Sequence, residues 1–194
     1  MLASRFPMAK SLARPEPFTY DDYRLLPEDG KIHELMEGDF FVSPAPSPWH
    51  QTVSRRLQAA LMKDLEETGL AYVFNAPTDV ILEPTSVVQP DLVVVGAAKK
   101  FYITDRAIEG IPDLIIEILS PGSLDRDGHI KRKLYQRLAV PEYWIVDPEH
   151  GLIRVLRYDV DSYGDRARYD RSSTATSPDF PTLRIPLAAI FAPL

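Results

Sequence analysis

Two carboxylates lie at positions where a charged group is costly. Glu117 is in the middle of the apolar run 114–119, which has the composition of a strand covered on both faces. Asp91 directly precedes a second apolar run, 92–95. Burying an unpaired carboxylate is unfavourable, so each acid should be paired, protonated or bound to a metal ion. Either acid by itself is more often an ion-pair or turn residue. Two that converge suit a hard divalent cation such as Mg²⁺.

Lys131 is the third candidate, because of its place on a predicted helix. The segment 125–138 has a helical pattern, and 100° per residue puts Lys131 in the same stripe as Leu134 and Tyr135. An inward lysine needs a carboxylate or an anionic ligand nearby. The alternative is that its stem packs on Leu134 while its amine reaches solvent.

A fourth acid and several weaker candidates surround these three residues. Glu34 shares a predicted strand face with Ile32 and Met36 and should therefore point toward the core. The secondary candidates are Gln89, Asp127, His50 and Tyr135. For Asp127 the simpler interpretation is an i,i+4 salt bridge with Lys131, for His50 a packed or capping histidine, and for Tyr135 a core residue.

The elements that must position these residues follow from periodicity and from turn and capping residues. The pattern predicts an α/β chain of order α-β-β-α-β-β-β-β-α-β-β. The predicted helices are 18–26, 47–67 and 125–138, and the predicted strands are 31–36, 39–42, 71–75, 78–82, 92–95, 114–119, 142–146 and 152–158. Ser47 is the expected N-cap of the second helix, followed by Pro48 at its first position. Segment 164–178 is polar and predicted to be a surface loop, and 180–191 supplies a last apolar piece.

The composition narrows the class of protein. The chain has 194 residues, of which 45% are hydrophobic, and no composition shift, so we expect one domain over 18–194 after a flexible N-terminus at 1–17. With no cysteine, disulfides and thiolate metal sites are excluded. No apolar run approaches the ~20 residues of a membrane-spanning helix, which favours a cytoplasmic location. The net charge of −6 argues mildly against a nucleic-acid partner. A local basic cluster answers this in part: Arg126, Lys131, Arg132, Lys133 and Arg137.

Several segments, taken in order, resemble a known family. They are Glu34-Leu35, 47–51, 89–92, 117–121, Lys131 with Tyr135, and 140–148. Each segment is weak alone, but their joint occurrence is similar to the Uma2 family of restriction-endonuclease-like proteins over 18–191. The resemblance implies the PD-(D/E)XK nuclease superfamily. Its α/β fold is a restriction-endonuclease-like mixed sheet flanked by helices.

The resemblance also implies an activity, the hydrolysis of DNA phosphodiester bonds with Mg²⁺, or alternatively Mn²⁺, as cofactor. Asp91 and Glu117 would bind the metal, with Glu34 or the Ile118 carbonyl assisting, and Lys131 would position water or stabilise charge at the phosphate. The chain departs from the motif at Leu119, where a lysine is expected. The resemblance implies that in this family the lysine comes from the following helix, where the helical pattern independently places Lys131.

Other functions and assembly states stay open at this point. A nuclease fold can be an inactive module that binds nucleic acid or regulates a partner, because fold does not determine function. Another alternative is a metal-dependent hydrolase of a small phosphoester. We expect a homo-oligomer, a dimer or higher, since a dimer would cut both DNA strands and the apolar strands near the C-terminus could form its interface.

Overall fold

A computed structural model describes residues 16–27, 29–43, 45–120 and 127–194, without the side chains of residues 127 and 128. Of the predicted flexible N-terminus, only the last two residues fall in these ranges. The helices described are α1 Tyr20–Tyr23, α2 Pro48–Leu61, α3 Asp127–Arg137 and α4 Leu187–Ile190. The strands described are β1 Ile32–Met36, β2 Asp39–Ser43, β3 Ala71–Asn75, β4 Val80–Glu83, β5 Ser86–Val88, β6 Leu92–Gly96, β7 Ile108–Glu109, β8 Leu114–Ile118, β9 Glu142–Asp147, β10 Leu152–Asp159, β11 Ser162–Tyr169, β12 Thr174–Ala175 and β13 Ile185–Pro186. None of the described helices is both long enough and apolar enough to cross a membrane.

A six-stranded mixed sheet forms the centre of the fold. Its order is β11-β10-β9-β8-β6-β3, in which β8 and β9 are parallel and the other neighbours antiparallel. Helix α2 covers one face through Val53 and Leu57, and α3 covers the other through Leu134 and Tyr135. Strand β8 is therefore central, as its apolar run without polar alternation predicted, and Glu117 is its one residue that is not classed as buried.

A second sheet brings another acid to the same region. Its order is β2-β1-β5-β4-β7, and β1 carries the buried Glu34. The hairpin between β1 and β2 turns at Glu37 and Gly38, with φ of 52° and 82°. Two consecutive positive φ values are the geometry of a tight two-residue hairpin turn, so the turn predicted at this pair is confirmed. Strands β12 and β13 form a separate small sheet.

Helix α2 begins where its capping residues predicted. The Ser47 hydroxyl accepts a hydrogen bond from the backbone N–H of His50 at 3.2 Å, and Pro48 occupies the first turn. The helix continues into a π-helical segment, Met62–Glu66. Its inward stripe is fully buried and consists of Val53, Leu57, Leu61 and Leu65. The cap fixes where the first turn starts and thereby places His50 against the central sheet.

The prediction of a surface loop over 164–178 is wrong. Residues 162–169 form β11, which pairs with β10 along its whole length, and Thr174–Ala175 form β12. An edge strand leaves most side chains in solvent, so charged residues can fill it without an apolar alternation. Only Tyr163 of β11 is buried. Strands β5 and β7 and the 3₁₀ segment Ala97–Tyr102 were also not predicted, because they are too short to carry a periodic signal.

A buried carboxylate fastens the C-terminal segment to the central sheet. Glu142, at the start of β9, is fully buried and accepts hydrogen bonds from Trp144 Nε1, the Ser177 hydroxyl and the Asp179 backbone N–H. Burial raises the pKa of Glu142 above its ordinary value of 4.5, although these three donors oppose the shift. The cluster is a structural network beside Trp144, which belongs to the apolar core on the α2 face of the sheet.

We predict that Glu142→Gln lowers the free energy of unfolding by about 1–3 kcal/mol, because the amide cannot accept from every donor and leaves one buried donor unpaired. The wild-type carboxyl binds its proton more tightly when folded. Its contribution to stability is therefore greatest below pH 4.5 and falls as the pH rises through the folded-state pKa. The difference in free energy of unfolding between the wild type and the variant should consequently increase toward acid pH. Urea unfolding at a series of pH values measures it, and a gap that does not change with pH would contradict this assignment.

Candidate active site

The three predicted acids meet where the two large sheets adjoin. The pairing of Leu92 with Ile116 sets Asp91, just before β6, beside Glu117 in β8. Glu34 comes from β1 of the other sheet. The side chains are 20% exposed for Asp91, 13% for Glu117 and 2% for Glu34, so the charges have little access to bulk water. Each therefore needs a partner within the protein or a bound cation.

Lys131 supplies one such partner. Its Nζ lies 2.8 Å from Glu34 Oε1 and 3.0 Å from Glu117 Oε1, and its side chain is 12% exposed. One helical turn later, the Tyr135 hydroxyl donates to the same Glu117 oxygen at 2.7 Å. The inward orientation predicted for Lys131 is thus confirmed. Both contacts to Glu117 use Oε1, and among the described residues no hydrogen-bond partner of Oε2 is found.

Asp91 is held by the backbone of β8 and by His50. Its Oδ2 accepts a hydrogen bond from the Ile118 N–H at 2.8 Å and lies 3.2 Å from His50 Nε2. The same His50 nitrogen is 3.0 Å from the Ile118 carbonyl oxygen. Because both neighbours of Nε2 are acceptors, this nitrogen carries the hydrogen. His50 therefore fixes the carboxylate of Asp91 and the carbonyl of Ile118 side by side.

A polar network behind Glu34 orients this carboxylate. The Gln89 backbone N–H donates to Glu34 Oε1 at 2.9 Å. The Gln89 side-chain amide donates to Asp79 Oδ1 at 2.8 Å and to the Tyr23 hydroxyl at 3.2 Å, and Tyr23 donates to Asp79 at 2.7 Å. Gln89 was a candidate from the sequence, whereas Tyr23 and Asp79 were not. They are 56 positions apart, and no local pattern links residues so distant in the chain.

The electrostatics of the site reflect three carboxylates that lie close together. Burial raises the pKa of Glu117 to about 7, an effect that Lys131 opposes and the carboxylates of Asp91 and Glu34 increase. Burial alone would lower the pKa of Lys131, but Glu117 and Glu34 outweigh it and raise that pKa. Burial would also lower the pKa of His50, but its interactions with Asp91, the Ile118 carbonyl and Glu117 together outweigh burial and raise that pKa above 6.5. Three carboxylates thus face the ammonium group of Lys131 and the imidazole of His50.

A cavity of about 140 Å³ opens onto these groups. Its walls include Glu34, Asp91, Glu117, Lys131 and His50. Within the described ranges, no three His, Asp or Glu side chains are arranged to hold a metal ion by themselves. A cation here would need backbone oxygen or water among its ligands. Of the secondary candidates, Gln89, His50 and Tyr135 contact the site, whereas the side chain of Asp127 lies outside the described part.

Comparison with known proteins gives the family and the fold. A family model described as "Uma2: Putative restriction endonuclease" matches residues 20–188. The crystal structure of "a putative nuclease belonging to DUF820 from Anabaena variabilis ATCC 29413" superposes with a TM-score of 0.75 at 20% identity, covering 91% of this chain and 98% of that one. No curated protein matches the chain. The structural likeness confirms the predicted α/β fold, a mixed sheet flanked by helices. Because the family model matches most of its length, the chain belongs to the Uma2 family.

Proposed function

We propose that this protein is a metal-dependent nuclease that hydrolyses DNA phosphodiester bonds, with Mg²⁺ or Mn²⁺ held by Asp91 and Glu117. Lys131 then acts at the phosphate or the attacking water. The family is described as a "putative restriction endonuclease" and the Anabaena variabilis structure as a "putative nuclease", which supports hydrolysis of a nucleic acid. The proposed metal dependence and the proposed roles of the residues are supported by the chemistry of the site alone.

The observation that carries this proposal is the group of carboxylates around Glu117. Three carboxylates lie together in a poorly solvated site, with Lys131 and His50 as their basic partners among the described residues, and a bound divalent cation would favour the ionised form of Glu117, whose pKa is otherwise raised. The oxygen atoms available as metal ligands are those of Asp91, Glu117 and the Ile118 carbonyl. Oxygen ligands completed by water suit Mg²⁺. When bound, such an ion supplies activated water and neutralises charge on the phosphate.

Lys131 is suited to donate hydrogen bonds rather than to accept a proton. Its raised pKa keeps the ammonium group charged at neutral pH. Two of its three N–H groups are used by Glu34 and Glu117, and Lys131 also lines the cavity, so its third can reach a water or a phosphate oxygen there. Glu34 accordingly acts as a positioning residue, which holds Lys131 from the other sheet and is itself held by Gln89.

An inactive nuclease-fold module is the second candidate. The contacts of Lys131 with Glu34 and Glu117 already form a paired cluster without any metal, and the described residues offer no three-acid metal group. If these contacts are only structural, added metal should have no effect on the protein. Metal binding therefore separates the two functions independently of any cleavage assay.

We predict that Asp91→Asn and Glu117→Gln each reduce Mg²⁺-dependent cleavage of DNA by about 100-fold or more, because an interaction worth several kcal/mol in the transition state is lost. Cleavage of plasmid and of single-stranded DNA measures this, with circular dichroism to verify the fold. Glu67→Gln, in an exposed turn after α2, is the matched control and should cleave like the wild type. Full activity in both site variants would contradict the assignment.

We also predict that Mg²⁺ or Mn²⁺ raises the melting temperature of the wild-type protein. A ligand that binds only the folded state at about 100 times its dissociation constant adds about 2.7 kcal/mol of stability. Asp91→Asn should show a much smaller rise, while Glu67→Gln should respond like the wild type. Differential scanning fluorimetry with increasing metal measures the effect. A wild-type melting temperature that is unchanged at every concentration would favour the inactive module.

A further inference from the structure

A row of side chains leads from Glu117 across the sheet to its edge. Glu117 pairs with Ile145, Ile145 with Arg154, and Arg154 with Arg168. Register partners project from the same face of a sheet, so the two arginines share the face of Glu117. At about 4.8 Å per strand, Arg154 is roughly 10 Å and Arg168 roughly 14 Å from Glu117, measured across the sheet.

Among the described residues, α3 covers only part of this face. A depression of about 580 Å³ lies over it, and its lining includes Ile145, Arg154 and Arg168. Leu119 lines both this depression and the cavity at the acids, so the two adjoin. We call Arg154 and Arg168 the arginine ledge. These two side chains line the depression that adjoins the candidate active site.

The two arginines of the ledge differ in their charge partners among the described residues. Arg154 and Arg168 lie directly opposite each other, and like charges in that arrangement are unfavourable. Asp165 binds Arg154 with two contacts of 2.9 and 3.1 Å. The exposed side chain of Arg168 has no hydrogen bond or ion pair within the described ranges. Asp147, also in the depression, accepts hydrogen bonds from the Glu149 and His150 backbone N–H groups and lies 2.8 Å from His150 Nδ1. A bound anion would relieve the repulsion at Arg168.

On the other side of the acids, α2 presents a polar face. Gln51, Ser54, Arg55 and Gln58 follow the i, i+3, i+4, i+7 spacing of one helix face. They line a further depression of about 220 Å³, which shares His50 and Asp91 with the cavity. Asp91 and Glu117 thus lie between a polar helix face and the arginine ledge. A small phosphoester would fill only the cavity, whereas an extended polyanion would contact all three.

We propose that the arginine ledge binds backbone phosphates of a nucleic-acid strand about three to four nucleotides from the bond at the acids, taking ~3.4 Å of rise per nucleotide. The inference rests on the proposed function and adds to it a surface that binds the substrate away from the cleaved bond. Arg168 contributes to affinity without touching the reacting atoms. Contacts of this kind are independent of sequence and sensitive to salt.

The test is the salt dependence of DNA binding. Fluorescence anisotropy with a labelled oligonucleotide, single-stranded and duplex, is recorded between about 50 and 200 mM salt with Ca²⁺ in place of Mg²⁺. Arg168→Ala should weaken binding about 5- to 10-fold at low salt and reduce the slope of log affinity against log salt by about one. Arg168→Lys should keep the slope. The control Arg106→Ala, which removes an exposed arginine from a loop beside β7, should bind like the wild type.

Equal affinity and slope for Arg168→Ala and Arg106→Ala would overturn the inference, as would a wild-type protein that binds no DNA. Cleavage assays on the same proteins separate this inference from the proposed function. If Arg168→Ala loses affinity as expected but no variant cleaves, the arginine ledge stands and the nuclease activity falls. If the wild type cleaves and Arg168→Ala binds and cleaves equally well at every salt concentration, only the arginine ledge falls.

Discussion

The ammonium group of Lys131 joins three parts of the fold at one point. It belongs to α3, Glu34 to the five-stranded sheet and Glu117 to the six-stranded sheet, and the contacts are 2.8 and 3.0 Å. Removing one member of a buried ion pair typically costs about 3–5 kcal/mol, because the other charge is left without a partner. The position of α3 on the central sheet is therefore coupled to the position of β1. The site and the packing of the domain depend on the same contacts.

Stability of the fold does not explain why charged residues occupy the site around Lys131. Apolar side chains of similar volume often replace a buried ion pair with no loss of stability, and sometimes with a gain. Here a third carboxylate, Asp91, adds to the negative charge instead of reducing it, and His50 and the Ile118 N–H hold it in place. An arrangement that is costly for folding and that opens onto a cavity is typical of a functional site. The raised pKa of Glu117 is what the proposed metal would lower.

Much of the site could be predicted from the sequence, because its residues violate local patterns. Glu117 interrupts an apolar strand, and Lys131 falls in an apolar helix stripe, so burial and orientation followed from periodicity alone. The strand β11 could not be predicted, since its alternating charges suit an edge strand and a loop equally well. The arginine ledge was missed for the same reason. Arg154 and Arg168 become neighbours only through the register of β10 and β11, which local sequence does not specify.

The most direct measurement of metal binding at this site is an anomalous difference map from a crystal of the wild-type protein soaked in Mn²⁺. We expect one strong peak at the oxygen atoms of Asp91, Glu117 and the Ile118 carbonyl, with Lys131 still contacting Glu34. A map without a peak at these oxygens, with Lys131 paired as before to both glutamates, would contradict the proposed metal site. The acids would then be a structural ion-pair cluster.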